Sequence, residues 1–210
     1  MRFVLASQSP ARLGVLRAAG IEPVVHVSGV DEDAVAAALP DPKPAEVVVA
    51  LAAAKAEAVL PTVAAELDEA VVVGCDSMLL MDTPDGPEIV GKPASTEVAR
   101  QRWRLMAGRS GELLTGHAVV RLSGGQAVAR AQETMSTTVR WSAPSEAELE
   151  AYLASGEPLH VAGGFTLDGL GGWFVEGIDG DHGSVIGISL PLTRRLLAAV
   201  GVSVVDLWAK

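Results

Sequence analysis

The chain has 210 residues, a formal net charge of −10 and a composition that is 49% hydrophobic with few aromatic side chains. That is a folded protein rather than a disordered one, with enough chain for one large α/β domain or two small lobes. The acidic balance argues against a nucleic-acid backbone or an anionic membrane as the main partner. A lone cysteine, Cys75, excludes an internal disulfide framework and fits a reducing cytosol.

Residues 3–6 read as a strand, too short for a signal-peptide core, and no apolar run approaches a membrane span. A cytoplasmic protein is the expectation. Ser7-Gln8-Ser9-Pro10-Ala11-Arg12 then turns the chain into a helix carrying Leu13, Leu16 and Ala19. Ser9 is a good N-cap and Pro10 suits the first helical position, with Gly20 as the C-terminal stop. Arg12 sits in the first turn, where the helix dipole favours negative charge. An anion held by the amides, the Ser7 and Ser9 hydroxyls and the guanidinium would account for it, and so would an ordinary exposed arginine.

Residues 23–27 read as a second strand, followed by the acidic turn 30–33 and a proline-broken loop at 40–44. Residues 45–59 form a helix that stops before Pro61. On it Val48, Leu51, Ala52 and Val59 share a face with Lys55 near its centre, while Glu46 and Glu57 lie opposite. A lysine centred on an apolar stripe either snorkels to the edge or meets an anion. The β-branched run 70–74 is a strand buried on both faces, ending at Cys75-Asp76. A carboxylate at that position can hold a hard cation or take a proton from water, or merely form an Asx turn.

Residues 78–81 stay extended, 83–86 turn, and 88–90 return as a short strand ending at Gly91-Lys92-Pro93. This stretch falls one residue short of a phosphate-binding loop. Pro93 removes the magnesium-binding hydroxyl and an amide, so only a lysine on a stiff turn survives of that motif. A helix at 96–107 follows, capped by Ser95 and stopped at Gly108. Residues 113–122 and 127–141 flank Ser123-Gly124-Gly125 as a long hairpin. An acidic helix at 145–154, a glycine-dense stretch to Gly187, a helix at 191–200 and a closing strand at 202–207 complete the chain. Strands alternate with helices, so the expected fold is α/β with a mixed, twisted sheet; two lobes around a central cleft are an expectation that this alternation does not itself demonstrate. Glu32, flanked by Asp31 and Asp33, belongs to a cluster that is solvated or caps the next element, or that instead shares a magnesium ion with Asp76. The four histidines lack metal-ligand spacing, Gly169-Leu170-Gly171-Gly172 lacks dinucleotide-binding spacing, and there is no nucleophile elbow.

These stretches resemble, in order, the motifs of the Maf (septum formation inhibitor) family. They are Ser7 to Arg12, Gly20-Ile21, Val30-Asp31-Glu32, Ala54-Lys55-Ala56, Gly74-Cys75-Asp76-Ser77, Gly91-Lys92-Pro93 and Thr115-Gly116-His117. Glu157-Pro158, Ala162-Gly163-Gly164-Phe165, Phe174-Val175-Glu176-Gly177-Ile178 and Gly180-Asp181 continue the match. The resemblance covers nearly the whole chain and implies one domain over residues 1–210. It also implies a two-lobed fold similar to the inosine triphosphate pyrophosphatases. The implied activity is that of a cytoplasmic house-cleaning enzyme, a nucleoside triphosphate pyrophosphatase using magnesium or manganese. Asp76 would activate water, Glu32 would join it as metal ligand, and Ser7, Arg12, Lys55 and Lys92 would hold phosphates. A homodimer is the family's usual assembly. A non-catalytic nucleotide-binding regulator of cell division is the alternative.

The sequence departs from the family pattern at Ala11, where a second arginine is usual. Ser77-Met78-Leu79 replaces Thr-Val-Val, and Gly187-Ile188-Ser189-Leu190 replaces Gly-Leu-Pro-Leu. Family subgroups differ in preferring uridine and thymidine triphosphates or 7-methylguanosine triphosphate, and the departures bear on that choice.

Overall fold

The computed structural model describes residues 1–209. In chain order its elements are β1 (Arg2–Leu5), α1 (Pro10–Ala18), β2 (Val24–Val25), α2 (Glu32–Ala37), α3 (Pro44–Glu66), β3 (Glu69–Thr83) and β4 (Gly86–Val90). There follow α4 (Thr96–Met106), β5 (Ser110–Ser123), β6 (Gln126–Trp141), α5 (Glu146–Ala154), β7 (Val175–Asp179), α6 (His182–Ile186) and α7 (Leu190–Ala199). Among the described residues seven strands form one mixed sheet in the order β2-β1-β3-β5-β6-β7, with β4 pairing the far part of β3. β1 runs parallel to β2 and β3, whereas β4 is antiparallel to β3 and β7 to β6. The expected α/β class with a mixed sheet is therefore what the chain adopts.

Contacts divide the chain into two compact units. The first comprises Met1–Asp76, Thr115–Met135 and the stretch from Gly187 onward; the second comprises Ser77–Leu114 and Ser136–Ile186. In the first unit alternate residues of β1 and β3 feed opposite faces. Phe3, Leu5, Val71 and Val73 pack with Leu16 of α1 and Leu192 and Leu196 of α7. Val4 and Val72 pack with Ala52, Ala56, Val59 and Val63 of α3. Burial on both faces is why this part of β3 is continuously apolar. The second unit is built differently: Trp103, Trp141, Tyr152 and Phe165 gather with Leu79, Met81 and Leu149. Trp103 meets Tyr152 edge-on at 5.6 Å and donates its indole N–H to the Gly164 carbonyl at 2.8 Å.

Several elements differ from what the sequence predicts. α3 does not stop before Pro61 but continues through it to Glu66. Val59 and Val63 anchor the helix on either side while Pro61 faces solvent, so packing outweighs the lost backbone hydrogen bond. At 23 residues α3 is also long and apolar enough, by length and composition, to cross a membrane, contrary to the expectation of no such run. Its apolar stripe is spent on the sheet and its centre carries Lys55. The acidic stretch opens α2 rather than forming a turn: Asp31 is the N-cap, accepting from the Ala34 N–H at 3.0 Å, and Glu32 lies in the first turn.

Asp76 does not end a strand. β3 runs on to Thr83 because β4 folds back on it, with Leu79 opposite Val90 and Met81 opposite Glu88. β2 shrinks to two residues, and residues 204–207 form a 3₁₀ turn in place of the expected closing strand. The glycine-dense stretch conceals β7 and α6. The hairpin of β5 and β6 holds, with Gly124 and Gly125 both at positive φ (59° and 69°), as a two-residue turn between right-twisted strands requires.

Candidate functional site

The site grows from the end of β1. β1 is in parallel register with β3 up to Leu5 and Val73, and the Ala6 N–H still donates to the Val73 carbonyl at 2.9 Å. Beyond that pair β1 turns into α1 while β3 continues to Asp76. The carboxylate therefore stands past the carboxyl end of β1, the place where open α/β sheets bind ligands. Ser9 caps α1 as expected, accepting from the Arg12 N–H at 3.4 Å, and the Ser9 N–H donates to Ser7 Oγ at 3.2 Å. The Arg12 side chain turns off the helix. Its Nη1 donates to Ser7 Oγ at 3.0 Å and its Nε to the Gly187 carbonyl at 2.8 Å.

From the other side α3 delivers Lys55, only 9% exposed and near the middle of the helix's buried stripe. It does not snorkel out. Its Nζ lies 2.6 Å from Asp76 Oδ1 and 2.6 Å from Glu32 Oε1. Two glycines make that approach possible. A Cβ on Gly74, two residues before Asp76 on the same face of β3, would fall 2.2 Å from the Ala52 carbonyl oxygen. One on Gly116 of β5 would fall 2.2 Å from the Val48 carbonyl oxygen. Without side chains at these points α3 rests directly on the strands. A glycine inside a β-branched run is the signal that marks such a backbone approach, at Gly74 most plainly. Gly116 and Gly187 carry no such local signal in the sequence.

Asp76 is 6% exposed, and burial pushes its carboxyl above the ordinary aspartate range while Lys55 and Arg12 pull it back. Glu32 adds a push upward. Among the described residues Asp76 Oδ2 is buried without a hydrogen-bond partner. A buried carboxylate oxygen in that condition costs free energy unless a donor or a cation meets it. Ser7, Ser9, Arg12, Glu32, Lys55 and Asp76 are all in the first unit: hydrogen bonds join the first three, ion pairs join the last three, and the Arg12 charge acts on Asp76. Lys92 is not among them. It lies exposed in the second unit after β4, where the neighbouring Gly91 carbonyl accepts from the Gly163 N–H and from Arg102 Nη1. Cys75 points into the core, where burial raises its thiol to about 11, so it is no nucleophile.

Residues 2–200 match the family model for Maf-like proteins. The chain belongs to the Maf family. This Maf chain is 74% identical over 208 residues to a nucleoside triphosphate pyrophosphatase of Saccharopolyspora erythraea, covering 99% of this chain and 97% of that protein. It is 65% identical over 207 residues to one of Nocardia farcinica, covering 98% and 96%. A Mycobacterium ulcerans protein of the same name is 54% identical over 213 residues, covering 99% and 97%.

Proposed function

We propose that the chain is a nucleoside triphosphate pyrophosphatase, with its chemistry centred on Asp76, Lys55 and Glu32. The observation that carries the reading is the buried Asp76 carboxylate, one oxygen held by Lys55 and the other left without a partner, in a Maf chain. A carboxyl raised above its ordinary range is a better proton acceptor than a free aspartate. Asp76 accepts a proton from water as the water oxygen bonds to the α-phosphorus. The bond from that phosphorus to the bridging oxygen breaks, and its electron pair leaves with pyrophosphate. Arg12 and Lys55 hold phosphate oxygens and offset the charge gathering on the leaving group. Ser7 and Ser9 line the same wall.

The donor set fits magnesium or manganese. Asp76 and Glu32 each give one oxygen to Lys55 Nζ, and Asp76 Oδ2 is left without a partner as the oxygen open to a cation; no cluster of three or more metal-ligating side chains is present among the described residues. Two carboxylates with the remaining ligands drawn from phosphate and water is the pattern magnesium favours. Held there, the ion would neutralise triphosphate charge that repels an incoming nucleophile. Assignment of Lys92 as a further phosphate ligand rests on the family resemblance alone.

The test is a panel of nucleoside triphosphates, including uridine, thymidine and 7-methylguanosine triphosphates, scored for monophosphate and pyrophosphate with and without magnesium. Asp76→Asn is expected to lower kcat by about a hundredfold, the usual scale for losing a general base. Near-normal pyrophosphate release from the folded variant overturns the role of Asp76. Nucleotide binding without pyrophosphate release at any metal concentration would instead favour the regulator of cell division.

A further inference from the structure

His117 is a buried titratable residue that the reaction above does not use. It lies on β5 with no solvent exposure. Its Nε2 accepts the Ser189 backbone N–H at 2.8 Å, and its Nδ1 lies 3.0 Å from the Thr115 carbonyl. An amide N–H can only donate, so Nε2 carries no proton and the proton sits on Nδ1, directed at Thr115. The imidazole is thus a neutral link between β5 and the start of α7.

The three residues it secures each have a separate task. Ser189 is the N-cap of α7, its hydroxyl accepting from the Leu192 N–H at 3.1 Å. Ile188 is wholly buried in the core. Gly187, at φ 134°, offers its carbonyl to Arg12 Nε at 2.8 Å. A Cβ at Gly187 would lie 3.2 Å from Arg12 Cγ and Nε, so the backbone presses directly on the arginine. A shift at Ser189 reaches the Arg12 contact through two residues of chain. On the other side, Gly116 beside His117 seats β5 against α3, the helix that carries Lys55.

We propose that His117 is a positioning residue for Arg12, fixing the 187–189 backbone so that the Gly187 carbonyl aims the guanidinium at substrate phosphate. The proposal rests on the assignment of Arg12 as a phosphate ligand made above. His117 touches no reacting atom; it acts through Ser189 and Gly187.

The experiment is a double-mutant cycle on the full chain, with kcat and KM measured on the best substrate of the panel. His117→Asn keeps a polar group near Thr115 but is too short to reach Ser189. It should raise KM about tenfold with kcat changed less than about twofold, the signature of lost ground-state binding. His117→Gln, whose amide oxygen can stand where Nε2 stood, should restore most of the affinity. Ser189→Pro, which φ −81° accommodates, removes the donor with His117 left in place and should raise KM by a similar factor. In an Arg12→Ala background both changes should become nearly silent, because coupled residues are non-additive. The same KM factor with and without Arg12, or unchanged KM in both His117→Asn and Ser189→Pro, overturns the proposal. If Arg12→Ala alone leaves KM unchanged, the assignment of Arg12 fails and the proposal falls with it.

Discussion

The two units bury different things. The first has an aliphatic core of Val, Leu, Ile and Ala, and within it are buried Ser7, Lys55, Asp76, Thr115, His117, Ser189 and Thr193. The second gathers Trp103, Trp141, Tyr152, Phe165 and Phe174 and keeps its charges outside, as in the exposed Arg104–Glu146 pair. Aromatic residues supply large contact area, so the second unit reaches a packed core from a short stretch of chain. Small aliphatic residues let helices and strands approach closely, and that closeness holds polar side chains in fixed relation. The first unit is shaped to present charge, the second to hold together.

Substitutions can break that contrast in graded steps. Trp103→Ala should cost about 3–5 kcal/mol of stability, read by denaturant unfolding, because it empties a buried aromatic cluster and leaves the Gly164 carbonyl unpaired. Gly74→Ala should cost about 1–3 kcal/mol, since the added methyl meets the backbone of α3 at both Ala52 and Ala56. It should also lower turnover, because α3 cannot retreat without carrying Lys55 away from Asp76. That joint loss, read from kcat alongside unfolding, separates the first unit from the second; a kcat unchanged in the folded variant would dissolve the distinction.

A finer test is pH. Burial raises the Asp76 carboxyl, and the proposed reaction needs it ionised, so kcat/KM should fall on the acid side at a pH above the ordinary aspartate range. Arg12→Ala removes one of the cations holding it down and should move that limb higher still. A limb at the ordinary value would separate Asp76 from the rate. The smallest effect belongs to the surface of the second unit. Arg104→Gln removes the exposed pairing with Glu146 and should leave the melting midpoint without a resolvable change, as solvent screens such pairs.

Much of the candidate site's geometry is legible wherever the signal is local. Lys55 on an apolar stripe is a contradiction within one helix, and the structure resolves it by pairing Lys55 with Asp76 and Glu32. Ser9 as cap and Arg12 in the first turn likewise follow from a few consecutive residues. What depended on distant partners was not legible. Asp76 reads as the end of a strand because the pairing that extends β3 comes from β4. Pro61 reads as a stop because the valines that carry α3 past it are held by the sheet. Ser189 reads as a departure from the family's usual proline that bears on base preference; only the fold brings His117 to the amide that a proline would lack.

The single thiol has a use beyond the fold. Cys75 is fully buried and its thiol is raised to about 11, so thiol reagents find almost no thiolate to attack near neutral pH. The native chain is therefore a blank background for cysteine chemistry. A cysteine placed anywhere on its surface becomes the one address at which a fluorophore or spin label reacts, with no need to remove the natural residue first.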